Sequence, residues 1–324
     1  MNTRSCLFRR PALWSLSLCF CPSAPLAAQE GLVPAFAIER DAMTLSRLAQ
    51  PGTYFDKAGR RFAILGQESG AFEAWAWPLK IVRNFELSFL LKTSTRPIMA
   101  REIARTIEVT PAATTITYTH QSFTVKAAYV TAIDEPGAVI LLAVEATEPF
   151  TVVASFLPVL QPMWPAGIGG QYASWDGKLK AYVISEPTRA NHGFIGSPAA
   201  QGISYTPAHM LSDVPNQFKI PIDDPAAARS VYIPIILAGG KGKREDVRKV
   251  YEKIAGDPGA VYRAAEDHYR LLREGTLAVK TPVRDLDLAF EWAKVAYDNL
   301  LVDNPDLGRG LVAGLGVEGA DVFE

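Results

Sequence analysis

Thr114-Thr115-Ile116-Thr117-Tyr118-Thr119 sets Ile116 and Tyr118 two positions apart among threonines. A period of two in β-branched and aromatic residues is the mark of a half-buried strand. Phe123-Thr124-Val125-Lys126-Ala127-Ala128-Tyr129-Val130 continues the pattern. Further out, Val139 to Val144 is an unbroken apolar run, as expected of a strand covered on both faces, and Thr151 to Leu160 and Val231 to Leu237 read alike. Turn signals separate these runs at Pro51-Gly52, Pro136-Gly137, Asp176-Gly177 and across Pro221 to Pro225. From Phe36 to about Ala238 no helical period intervenes. The pattern therefore predicts a large antiparallel β-sandwich and disfavours a doubly wound α/β fold.

After Gly242 the period changes. Val247, Val250, Tyr251 and Ile254 fall at helical spacing within Arg244 to Ala255, and Asp257-Pro258-Gly259 breaks that helix. A second helix is expected from about Ala260 to Arg273, with Ala264, Ala265, His268, Leu271 and Leu272 inward. A third follows Thr281-Pro282, a cap with proline at the first helical position. Leu286, Phe290, Ala293, Tyr297 and Leu300 recur along it, and Trp292 and Val295 widen the stripe. A helix apolar over so much of its circumference calls for partners on several sides.

The 324 residues carry 48% hydrophobic and 21% charged residues, ordinary values for a globular chain with a sizeable core. The formal charge of -1 argues against a nucleic-acid partner, which would demand a basic excess. Arg4, Arg9 and Arg10 precede the short apolar run Leu13 to Phe20 and the small, turn-prone Pro22 to Ala28, so residues 1–28 read as a signal peptide. Loss of its three arginines takes the formal charge from -1 to -4. The expected location is periplasmic or secreted. All three cysteines, Cys6, Cys19 and Cys21, lie in that leader, so the mature chain is expected to form no disulfide and no thiolate metal site. No run is long enough to span a bilayer, which takes roughly 20 apolar residues.

The stretch from Asp285 to Leu300, followed by Asn304-Pro305-Asp306-Leu307-Gly308-Arg309-Gly310-Leu311-Val312-Ala313-Gly314, resembles the start of the helical barrel in bacterial glycogen-debranching-type proteins. These are six-hairpin glycosidases, relatives of amylo-α-1,6-glucosidase and glucoamylase. The β region, with Glu73-Ala74-Trp75-Ala76-Trp77-Pro78-Leu79-Lys80 near its beginning, resembles their N-terminal sandwich. The resemblance implies a sandwich over 31–240, a helical linker over 241–280 and the opening of an (α/α)6 barrel over 281–324. It also implies a glycoside hydrolase acting on α-glucans or related oligosaccharides, with no cofactor. The tail Gly316 to Glu324 departs from the family pattern, which points to an early stop or frameshift near Gly316. The rest of the barrel and both catalytic carboxyl groups would then be missing. The alternative is a non-enzymatic periplasmic sandwich that binds carbohydrate or a protein. Oligomeric state is left open.

Glycoside hydrolysis uses two carboxyl groups about 5–5.5 Å or about 6.5–9.5 Å apart. Asp176, Glu186, Glu291, Asp298 and Asp306 are the carboxylates to consider. Glu291 and Asp298 share a helix face but stand about 10.5 Å apart along the axis, so an ion-paired face is the plainer reading and no catalytic residue is assigned. For sugar contact the aromatic candidates are Trp75 with Trp77, which share a strand face, and Trp164 with Trp175, which flank a glycine-rich turn. The competing role for all four is filling a core or interface. Asn304, Asp306 and Arg309 are the polar candidates in the glycine-rich loop after the third helix. Against them stands a plain helix-terminating turn with Arg309 paired to Asp306. Gly239 to Arg244 and Gly167 to Gly170 fit neither phosphate-loop nor dinucleotide spacing, and His120, His192, His209 and His268 show no metal-ligand spacing.

Overall fold

Ile116 and Tyr118 enter the core from alternate positions of strand Thr114–His120, which pairs antiparallel with Phe123–Thr131. The structure, a computed structural model, describes residues 32–162, 170–204 and 214–313. The proposed leader, Trp164 and the tail after Ala313 lie outside the described residues.

Two antiparallel sheets face each other. In the larger, the strand order is Tyr172–Asp176, Ala181–Ser185, Asn191–Gly196, Val231–Lys241, Gly137–Ala146, Phe123–Thr131, Thr114–His120, Ala104–Val109 and Leu45–Leu48, with Val33–Pro34 added alongside Val231–Lys241. The smaller sheet centres on two thirteen-residue strands, Leu79–Leu91 and Phe150–Pro162, flanked by Phe72–Ala76, Phe62–Gln67 and Tyr54–Ala58 on one side and Asn216–Ile222 on the other. Two one-turn helices, α1 (Ala100–Ile103) and α2 (Pro225–Ala228), close connections at the rim. Asp224 caps α2 by accepting from Ala226 and Ala227 N–H groups.

The unbroken apolar runs have a direct cause. Ile140, Leu142 and Val144 point between the sheets, while Val139 and Leu141 point to the opposite face. That outer face is roofed by α3 (Arg244–Gly256) and α4 (Pro258–Gly275), whose Val247, Tyr251, Ile254, Val261, Tyr262 and Ala265 share its apolar cluster. The molecule is thus mainly β, a large antiparallel sandwich with a helical layer on one face. Gly137 makes the close approach of α3 possible. A Cβ there would stand 2.5 Å from Ile254 Cδ1 and 2.9 Å from the Leu237 carbonyl oxygen.

Two inward faces differ from the sequence expectation. In α4, Val261, Tyr262, Ala265 and Tyr269 are buried while Leu271 is exposed. The tyrosines outcompete leucine there because their hydroxyls find partners, the Glu39 N–H at 2.9 Å and Asn299 Oδ1 at 2.8 Å. In α5 (Arg284–Asn299) the docked side carries Leu288, Trp292, Val295 and Asn299, whereas Leu286 and Tyr297 face outward. Its N-cap is Val283, with no side-chain cap; Thr281 instead accepts from the Val283 N–H and donates to Asp287. The loop after α5 is a hairpin, Leu301–Asn304 with Gly308–Leu311.

Candidate functional site

The seam where α5 and its hairpin meet the sandwich gathers most of the polar groups of interest. At its centre, Arg60 sits in the tight connection between Tyr54–Ala58 and Phe62–Gln67. Its guanidinium donates to the Asp298 carbonyl at 2.7 Å and to Asp298 Oδ1 at 2.5 Å. His268 of α4 donates from Nε2 to Asp298 Oδ2 at 2.8 Å. Burial works to raise the Asp298 pKa. The hydrogen bonds from His268 and Arg60, with their charges, outweigh it and hold the carboxyl below its usual range. Backbone pairing adds to the clasp, since the Asp303 N–H donates to the Arg60 carbonyl at 2.6 Å.

Trp75 and Trp77 do lie on one face, stacked with ring centroids 5.7 Å apart. Both are buried, and they pack with Ala58, Ala63, Leu65 and the hairpin's Val302. Trp75 Nε1 donates to Glu73 Oε1 at 2.7 Å, and Lys80 pairs with Glu73 Oε2 at 2.6 Å while lying over the Trp75 ring. The pair fills the seam between sandwich and hairpin and presents no open platform to a sugar. Trp175 belongs elsewhere. It packs edge-on against Tyr182 at 5.1 Å, beside the main inter-sheet core. Trp175 therefore shares no packing cluster with the Trp75–Trp77 pair.

Asn304, Asp306 and Arg309 come together on the Leu301–Leu311 hairpin. Asn304 Oδ1 accepts from the Asp306 and Leu307 N–H groups and so shapes the turn. Asp306 pairs with Lys241 at 2.7 Å, and Arg309 pairs with Asp303 at 3.0 Å rather than with Asp306. The turn hypothesis misassigned the Arg309 partner because it took the segment for a helix end. In a hairpin, Asp303 and Arg309 are directly cross-strand.

The remaining carboxylates are dispersed. Glu186 is fully buried and accepts from the Thr188 hydroxyl and from the Thr188, Ala190 and Asn191 N–H groups. Burial favours its neutral form, but this ring of donors prevails and lowers its pKa. Glu291 pairs with Lys294 at 2.8 Å, and Asp176 caps its own turn by accepting from the Lys178 and Leu179 N–H groups. Each of the five carboxylates considered has a structural partner.

Sequence reasoning passed over Asp56, Lys57 and Asn299. A cleft of about 380 Å³ opens between Tyr54–Ala58 and α5, and Tyr54, Asp56, Lys57, Trp292 and Asn299 line it. The Lys57 ammonium donates to the carbonyls of Thr110 at 2.9 Å and Pro111 at 3.2 Å. Burial lowers its pKa to about 8, against the opposing pull of the Asp56 charge. A lone inward lysine in the strand Tyr-Phe-Asp-Lys-Ala was the available signal, since Lys57 occupies a position that the strand's alternation gives to the core.

No protein-family model and no curated protein matches the sequence. Solved structures do match by shape. A bacterial glucoamylase complexed with acarbose superposes with a TM-score of 0.54 at 9% identity, over 83% of this chain and 44% of that one. A candidate kojibiose phosphorylase from the human microbiome gives a TM-score of 0.48 at 6% identity, over 80% of this chain and 35% of that one. The chain spans under half the length of either. At such identities the likeness is one of fold, and the sandwich with its following helices is a fold that this chain shares with part of a bacterial glucoamylase.

Proposed function

We propose that the chain is the N-terminal portion of an exported glycoside hydrolase of glycogen-debranching or glucoamylase type, acting on α-glucans or oligosaccharides. The observation that carries this reading is the glucoamylase superposition over 83% of the chain. It joins the resemblance of Asp285 to Gly314 to the opening of a glycosidase barrel. That the glucoamylase is complexed with acarbose supports carbohydrate as the ligand class. Arg4, Arg9 and Arg10 before an apolar run support export.

In this reading the sandwich is a scaffold that packs beside a helical catalytic unit, with α5 as the first helix of that unit. The chain itself supplies no catalytic carboxyl pair. The dispersal of Asp176, Glu186, Glu291, Asp298 and Asp306, each in its own cap or ion pair, supports this. Incubating the purified chain with maltose, panose and glycogen tests it. No glucose release is expected, and measurable turnover would overturn the non-catalytic assignment.

A further inference from the structure

The cleft beside α5 has a composition that restricts what it accepts. Its walls are apolar rings. Tyr54 is 54% exposed at the mouth, and Trp292 is fixed in orientation by its indole N–H, which donates to the Met43 carbonyl at 3.1 Å. Between the walls lie Asp56 and Asn299. The Tyr269 hydroxyl, kept protonated by burial, donates to Asn299 Oδ1 at 2.8 Å. That bond fixes the amide so that Nδ2 turns toward Asp56 Oδ2, 3.4 Å away. A separation of 3.4 Å is at the outer limit of a hydrogen bond, and no other side-chain bond to Asp56 forms among the described residues. An amide donor and a carboxylate acceptor so placed suit one hydroxyl group, which accepts from the first and donates to the second.

Charge narrows the choice further. Asp56 and Lys57 point to opposite faces of the strand, and the buried Lys57 ammonium is held by the Thr110 and Pro111 carbonyls, so the cleft offers no free cation to an anion. The cavity of about 380 Å³ falls in the usual range for small-molecule sites, about 300–1,000 Å³. We propose that the cleft between strand Tyr54–Ala58 and α5 is a binding site for a neutral hexose ring. The apolar C–H face of the sugar lies on Tyr54 or Trp292, and a hydroxyl group bridges Asn299 and Asp56. The choice of a glucose-type sugar rests on the α-glucan reading above; the class of neutral polyol rests on the cleft alone.

The test uses the full chain, titrated by calorimetry or saturation-transfer NMR with glucose, maltose and maltotriose. Tyr54→Ala and Asp56→Ala are assayed beside it, with melting curves to show that both fold. Saturable binding, weakened about tenfold or more in each variant, is the expected result. Binding that neither variant changes overturns the site while leaving the carbohydrate reading intact. Absence of saturable binding to all three sugars also overturns it. The scaffold reading survives that outcome, because it depends on the coding sequence downstream and not on affinity at this cleft.

Discussion

Arg60 and Asp298 are 238 positions apart in sequence and meet through two hydrogen bonds, one to the Asp298 carboxylate and one to its carbonyl. Both side chains are about nine-tenths buried. The contact ties the sandwich to the C-terminal end of α5, where an arginine also complements the helix dipole.

Removing one member of such a pair strands the other. Arg60→Ala is expected to cost about 3 kcal/mol. Urea denaturation measures the loss. Hydrogen exchange is expected to place the largest change in α5 and the Leu301–Leu311 hairpin.

The lowered Asp298 pKa gives this contact an acid limb. A carboxyl group whose folded pKa lies below its unfolded value of about 3.9 contributes stability that is complete above that value. The contribution is lost as pH falls through the folded pKa. Asp298→Asn is therefore expected to melt below the parent chain near about pH 6, with the gap narrowing below about pH 3.9. A gap constant down to acid pH contradicts the assignment.

Trp77 is 3% exposed and locked between Trp75 and the hairpin. Trp77→Ala is expected to act through packing, at about 3–5 kcal/mol. A drop in melting temperature checks this. An unchanged melting temperature with altered sugar affinity would restore the open-platform role.

Gly137→Ala drives a methyl group into Ile254 Cδ1 and the Leu237 carbonyl. A loss of about 1–3 kcal/mol is expected. Shortening Ile254 to alanine in the same chain relieves only the side-chain clash. The double variant is therefore expected to fall short of additivity, as a thermodynamic cycle would report.

How much of this was legible depended on whether the signal was local. The period of two at Ile116 and Tyr118, and the two-sided burial of Val139 to Val144, are statements about neighbouring residues, and both hold in the structure. The helices after Gly242 were equally plain. The inward face of α4 was expected at Ala264, Ala265, His268, Leu271 and Leu272, which leaves out the buried Tyr262 and Tyr269. Their burial depends on Glu39 and Asn299, which no local window contains. The hairpin was hidden for a similar reason. Leu301–Asn304 and Gly308–Leu311 are too short and glycine-rich to declare themselves as strands before they pair. The seam itself could not be read at all, since Arg60, His268 and Asp298 reach it from three separate elements.

The outward side of α5 carries Leu286 and Tyr297, 55% and 64% exposed, with Val283 nearby at 58%. Leu286→Lys with Tyr297→Lys is expected to reduce self-association, read by light scattering, without lowering the melting temperature. A large destabilisation would mean that this face is already covered.

Sequencing the transcript beyond codon 324 and translating all three frames tests most directly whether this chain is the front portion of a glycosidase. The expected result is a frame that resumes with an aromatic, aspartate-containing helical segment and further barrel helices. If no frame continues in that way, the glycosidase reading is contradicted.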